Sequence, residues 1–195
     1  MKLGKLELKK IKGDASFRSF YRKTNNKKNS IIVYAKKEKD KNLLIYDAIN
    51  NLLIKNKIIA PKLYKENYKN NFIEIEDFGD DTVLRLLKKS GSNKIDLYKK
   101  SIDLLCKIQK ITKNKTKNFY GKDYKIPIYK NNKLFKEAKL FCDWYAKKYI
   151  SKKKLLVLNI EINKQIRFLI SNLKLKNNTL VHRDFHVSNL MKYKK

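Results

Sequence analysis

Residues 179–191 read TLVHRDFHVSNLM and hold the side chains best suited to chemistry in this sequence. His182 stands two residues before Asp184, and Asn189 follows Asp184 by five. A carboxylate beside a hydroxyl can orient it and accept its proton, and an asparagine side-chain oxygen can ligate Mg²⁺. Phosphoryl transfer needs both, and H-x-D-x-x-x-x-N delivers them from one loop. The apolar flanks fit such a loop: a short strand is predicted over 180–182 leading in, and another over 190–193 leading out. The same residues admit a second chemistry. Alternate residues of a strand share a face, so His182, Asp184 and His186 could form an H-x-D-x-H metal site. A catalytic metal would want further ligands, and the chain has only these two histidines. Taken alone, His186 reads as a structural histidine or a loop residue near a substrate.

Other stretches could serve that loop. In GDASFRSFYR, 13–22, a strand–turn–strand context lets Gly13 and the backbone amides of Asp14, Ala15 and Ser16 approach phosphates. The Ser16 hydroxyl can donate a hydrogen bond there, and Arg18 can pair with a phosphate. An ordinary hairpin turn would look the same, because the stretch is not a G-x-G-x-x-G loop. In IEIEDFGDD, 73–81, Glu76, Asp77 and Phe78 can be plain turn residues or an extended crossing segment. FKEAKLFCDWYAKKYI, 135–150, is an amphipathic helix with Phe141, Trp144 and Tyr145 expected in the core. Glu137 and Asp143 lie on its polar side, where a substrate could meet them.

The elements that must position these residues follow from periodicity. Residues 5–35 read as a three-strand meander, alternating in the first two strands and a buried apolar run over 31–35, with turns around Gly13-Asp14 and over 24–29. A helix is predicted over 40–57, ending at Ala60-Pro61. KLYKE and NFIEIED then form a hairpin with NYKN at its tip. Thr82 starts a short helix that stops before Gly91. Helices follow over 95–111, 133–150 and 159–175, with a polar connector at 113–131. The order, β-rich and then helical, predicts an α+β protein of two lobes with a boundary near 77–82.

Composition limits the function classes. The chain has 195 residues, 42% hydrophobic, with 12 Tyr and 9 Phe, which suits a folded core and argues against disorder. Its net charge of +31 would attract polyanions without specificity. The cations are overwhelmingly Lys, spread through an Ile- and Asn-rich chain; the arginines are Arg18, Arg22, Arg85, Arg167 and Arg183. That pattern is a global compositional bias more than a dedicated nucleic-acid surface. Cys106 and Cys142 form no C-x-x-C pair and are expected as buried free thiols. No signal peptide or membrane span is seen in the sequence, so a cytoplasmic protein is expected.

Read in order, GDASFRSFYR, IEIEDFG, KEAKLFCDWY and LVHRDFHVSNLM resemble the aminoglycoside phosphotransferase family, and within it the bacterial anomeric kinases of N-acetylmuramate and N-acetylglucosamine. The similarity spans about 10–191. HRDFHxxNLM and the F-x-x-W-Y helix are specific, whereas the glycine turn and the 73–81 segment are supportive. The resemblance implies a two-lobed protein-kinase-like fold, with a nucleotide-binding lobe over 1–78 and a helical lobe over 79–195. It implies ATP and Mg²⁺ as cofactors, a small-molecule sugar as partner, phosphorylation of a sugar hydroxyl, and a place in peptidoglycan recycling. Asp184 would be the catalytic Asp and Asn189 a metal ligand. Gly13, Asp14, Ala15 and Ser16 would lie over the phosphates with Arg18, and Glu76 and Phe78 would present backbone groups to adenine.

The family's third-strand Lys has no assigned counterpart, since Lys36 and Lys37 come late in IIVYAKK. Such kinases continue into a strand with an I-D-F-type Asp, the second metal ligand, and then into further helices. Lys195 precedes any such Asp, so the chain is expected to be the N-terminal part of a longer kinase. Two other classes stand beside this one. A nucleotide-binding pseudokinase without turnover would lack that Asp. A basic nucleic-acid-binding protein rests on charge alone and would show steep salt dependence.

Overall fold

The computed structural model describes residues 8–11, 18–24, 29–35, 42–174 and 178–193. Gly13, Asp14, Ala15 and Ser16 lie outside the described residues, as do Lys36 and Lys37. The protein is α+β, with a small antiparallel sheet and several helices.

The predicted meander forms as β1 (Leu8–Ile11), β2 (Arg18–Lys23) and β3 (Ser30–Ala35). Helix α1 (Asn42–Lys55) follows, and then the hairpin of β4 (Leu63–Asn67) and β5 (Phe72–Glu76). Its tip is a 3₁₀ turn, Tyr68–Asn70, closed by Asn71 at φ +59°. The sheet order is β1-β2-β3-β5-β4, every neighbour antiparallel. The sequence explains the order. SIIVYA and FIEIE carry the β-branched runs and take the middle, while LKKI and LYKEN carry lysines and take the edges, where charge discourages pairing with other chains.

Register puts Phe20, Val33 and Ile73 in one row and Ile31 and Ile75 in the next. This face packs with Leu43 of α1 to make the first core, in which Val33, Leu43 and Ile73 are fully buried. Each such side chain contributes roughly 1.5–3 kcal/mol by burial. Glu74 points to the other face, where Lys23 bonds it at 3.0 Å and the Ser30 hydroxyl at 2.5 Å. Burial opposes its charge, but these two partners outweigh burial and hold its carboxyl below the usual range.

Next come α2 (Val83–Leu87) and α3 (Lys94–Gln109). The Thr82 hydroxyl accepts from the Arg85 amide, and the Asn93 side chain from that of Asp96, so each helix begins on a side-chain cap. Ile108 and Ile111 meet Leu52, Ile58 and Leu180 in a second core, flanked by Phe185. The 113–131 connector holds a hairpin that periodicity did not reveal: β6 (Lys115–Lys117) and β7 (Asp123–Lys125). Only three residues long on each side, it buries just Thr116, whose hydroxyl donates to the Ala48 carbonyl of α1.

Contacts divide the chain into two compact units, Met1–Ile126 with Leu180–Lys195, and Pro127–Thr179. The second unit holds α4 (Asn131–Leu140), a π-helical turn (Phe141–Ala146), α5 (Lys147–Tyr149) and α6 (Lys152–Ser171). Helix α6 begins earlier than predicted, because Lys152, Lys153 and Lys154 are good helix formers without an apolar signal. Phe141, Trp144 and Tyr145, expected in the core, are exposed, and Cys142 and Ala146 are buried instead. The i→i+5 turn shifts which residues face inward relative to a 3.6-residue period. Cys106, expected buried, is exposed on α3. Among the described residues, no helix is long and apolar enough to cross a membrane.

Candidate active site

The stretch around Asp184 is a loop throughout. The strands predicted over 180–182 and 190–193 do not form; a single antiparallel bridge joins Met191 to Thr82. The reason lies in where its backbone groups go. The Leu180 amide donates to the Ile111 carbonyl at the end of α3. The Leu190 and Val187 carbonyls accept from the amides of Val83 and Leu84, at 2.8 and 3.0 Å. Those two amides belong to the first turn of α2 and have no partner inside the helix. Loop and helix end thus satisfy each other, and burial of Leu180 and Leu190 anchors both ends of the loop.

Within this frame Asp184 and Asn189 meet. The Asn189 Nδ2 donates to Asp184 Oδ2 at 2.7 Å and to the Asp184 carbonyl at 3.1 Å. With Nδ2 committed, the amide's Oδ1 is the atom left for another partner. His186 Nε2 lies 3.2 Å from Asp184 Oδ1, and its Nδ1 accepts from the Ser188 amide at 3.3 Å. The Nε2–H tautomer satisfies both contacts; the alternative satisfies only the 3.0 Å approach of Asn189 Nδ2. The Asp184 side chain is 72% exposed, so its carboxylate is open to a ligand while two neighbours fix its orientation.

Arg183, just before Asp184, sits at φ +68°. That left-handed conformation costs a non-glycine residue about 1–3 kcal/mol, supplied here by the anchored flanks. His182 packs edge-on against Phe185. Burial lowers the pKa of His182 and His186 adds to this, against the opposing charge of Asp184, so its neutral form is favoured. His182, Asp184 and His186 do not gather as a ligand set: among the described residues no group of three or more His, Cys, Asp or Glu side chains is arranged to hold a metal.

The 76–81 segment lies beside the loop exit. The Tyr193 hydroxyl donates to Glu76 Oε1 at 3.1 Å, and its ring stands edge-on to Phe78 at 4.9 Å. The Lys192 amide donates to the Asp81 carbonyl. From the sheet side Arg22 grips the same segment. Its Nε and Nη2 bind both oxygens of Asp77 at 2.6 and 3.1 Å, Nη1 binds Asp80 at 2.8 Å, and Nη2 also reaches the Gly79 carbonyl. Side-chain exposures of 18% for Arg22 and 7% for Asp77 make this a largely buried pair. Asp77 raises the Arg22 pKa; burial opposes this and Asp80 reinforces it.

Of the residues singled out from sequence, Asp184 and Asn189 are brought together, and Glu76 and Phe78 are held against Tyr193. Arg18 instead places its guanidinium over the Tyr46 ring of α1 at 4.9 Å. In the second unit Glu137 accepts from the Tyr129 hydroxyl and Asp143 pairs with Lys139. Sequence reasoning missed Arg22, Asp80 and Tyr193. A signal for Arg22 was present: where nearly every cation is Lys, an Arg points to a place that can use a planar fork of donors.

No family model matches the chain. It is 25% identical over 178 residues to an N-acetylmuramate/N-acetylglucosamine kinase of Pseudomonas putida, covering 91% of this chain and 49% of that protein. It is 24% identical over 193 residues to a protein of the same name from Pseudomonas aeruginosa, covering 95% of this chain and 51% of the relative. The chain thus spans about half the length of the curated relatives it matches. The two likenesses agree, and at this distance they support a relationship to that kinase family.

Proposed function

We propose that this protein is an ATP-dependent phosphotransferase acting on a hydroxyl of a small molecule, a cell-wall amino sugar of the N-acetylmuramate or N-acetylglucosamine kind. The observation that carries this is the Asp184–Asn189 pair, bonded at 2.7 Å in a loop braced on α2. The two relatives, named as kinases of those sugars, support the substrate class. The run of three strands, a helix and two strands suits the nucleotide lobe of a protein-kinase-like fold. In this reading residues 1–78 form that lobe and 79–195 the helical one.

Asp184 orients the acceptor hydroxyl and takes its proton as the sugar oxygen bonds to the γ-phosphorus. The bond from that phosphorus to the bridging oxygen breaks, and ADP leaves with the electron pair. His186 and Asn189 keep the carboxylate aimed. Oxygen donors suit Mg²⁺, and the uncommitted Oδ1 of Asn189 beside the Asp184 carboxylate fits it. When bound, Mg²⁺ neutralises charge on the triphosphate. Gly13, Asp14, Ala15 and Ser16 cradle the phosphates, Arg18 adds positive charge, and the backbone at Glu76 and Phe78 meets the adenine.

The test is ADP release with a panel of amino sugars, aminoglycosides and choline, run beside ATP titration. Little or no turnover is expected of the 195 residues alone. In a version extended to the length of the kinase relatives, Asp184→Asn keeps the shape but not the proton acceptor, so turnover should fall by about 10²–10⁴ with ATP affinity retained. Undiminished activity in that variant would sink the mechanism. Turnover with choline or an aminoglycoside alone would overturn the sugar assignment. ATP binding by the extended version without turnover on any acceptor would leave a nucleotide-binding protein in place of an enzyme.

A further inference from the structure

We infer that Arg22 is a positioning residue for nucleotide binding, setting the conformation of the 76–80 segment so that its backbone can read the base. The inference rests on the nucleotide-binding reading above and assigns it a residue that touches neither phosphate nor sugar. Register explains why this residue reaches the segment. Arg22 pairs with Ile31, which pairs with Ile75, so all three share a face, and Asp77 follows Ile75 by two. From there one guanidinium meets two carboxylates and one carbonyl.

The Asp77 carboxylate passes the constraint on. While bound to Arg22, its Oδ1 also accepts from the Gly79 amide at 2.8 Å, closing a tight turn at Gly79 φ +83°. Tyr193 and the Lys192 amide hold the segment from the other side. Between these clamps the backbone N–H and C=O of Phe78 have no protein partner among the described residues. A fixed turn with unspent backbone groups at its centre is preorganised for a planar heterocycle with its own donor and acceptor edge. Lys could not replace Arg22, since an ammonium is a point charge and cannot form the bidentate pair.

The test separates base from phosphate. The purified full chain is titrated with ATP and with inorganic tripolyphosphate at about 0.15 M salt, which limits non-specific attraction. Arg22→Met should weaken ATP binding about tenfold or more, and tripolyphosphate binding should stay within about twofold. Arg22→Lys should behave alike, and Asp80→Asn, which spares the Asp77 pair, should lose less in the same direction. If Arg22→Met does not fold by circular dichroism, the two milder variants decide. Equal losses for both ligands would mean a merely structural role, and unchanged ATP affinity would mean no role; either overturns the inference. A wild-type chain that binds no ATP brings down the underlying reading as well. Wild-type binding with indifferent variants removes Arg22 alone.

Discussion

The two compact units use apolar residues in opposite ways. In the first, Ile31, Val33, Leu43, Ile73 and Ile75 close one core, and Leu52, Ile58, Ile108, Ile111 and Leu180 close another. In the second, Phe141, Trp144, Tyr145, Tyr149, Leu156, Ile160 and Phe168 are exposed, and the buried side-chain oxygens of Asn159 and Asn163 have no partner among the described residues. Both units contain well-formed helices, so helix formation is not what separates them. Local propensity and i,i+4 pairs such as Lys139–Asp143 suffice for a helix, but a core needs a second surface. The candidate site stands on the unit that has its cores.

The strongest challenge to this contrast is a cavity in the first core. Ile73→Ala should cost about 2–5 kcal/mol in urea unfolding followed by circular dichroism. A loss no greater than that of a surface substitution would mean the sheet core is not what holds the first unit.

A smaller effect should appear with pH. Burial lowers the folded-state pKa of His182 below its ordinary 6.5. The stabilisation linked to its neutral form is therefore complete above the unfolded value and is lost as pH falls through the lowered folded one. The urea midpoint should drop as pH falls below the ordinary histidine value of 6.5, and His182→Gln should flatten that dependence. An unaltered slope in the variant would show that His182 is not the sensor.

The smallest effect is expected in the second unit. Ile160→Ser, on an exposed position, should change stability by no more than about 0.5 kcal/mol. Trp144, the chain's single tryptophan, is 76% exposed there and makes the measurement specific. Its emission should be that of a solvated indole in the native protein and open to aqueous quenchers. A blue-shifted, protected Trp144 would erase the contrast between the units.

The sequence disclosed different things in the two units for a physical reason. A continuous β-branched run in SIIVYA and alternation in FIEIE carried the sheet, because a strand buried on both faces is apolar throughout and one with a polar face alternates. Asp184 and Asn189 were legible because their spacing lies within one loop. Arg22, Asp80 and Tyr193 act across more than fifty residues, and periodicity holds no information at that range. KTK and DYK gave no strand signal because only Thr116 in that hairpin is buried. The FCDWYA turn misled a 3.6-residue period because its hydrogen bonds run i→i+5.

The tie between Tyr193 and Glu76 spans 117 positions of chain, and the bonds from Lys192 to Asp81 and from Leu190 to Val83 span nearly as much. Closing so long a loop costs entropy that is recovered only once both ends already have somewhere to dock. The β2–β3 and β4–β5 hairpins close over far shorter distances and can form first. The order of assembly follows: sheet and α1 early, the 182–191 loop late. On a ribosome the segment bearing Asp184 emerges after the sheet and α1, when the surface that receives it can already be folded. The candidate site would then be the last part of the first unit to take shape and, on dilution into denaturant, the first to let go.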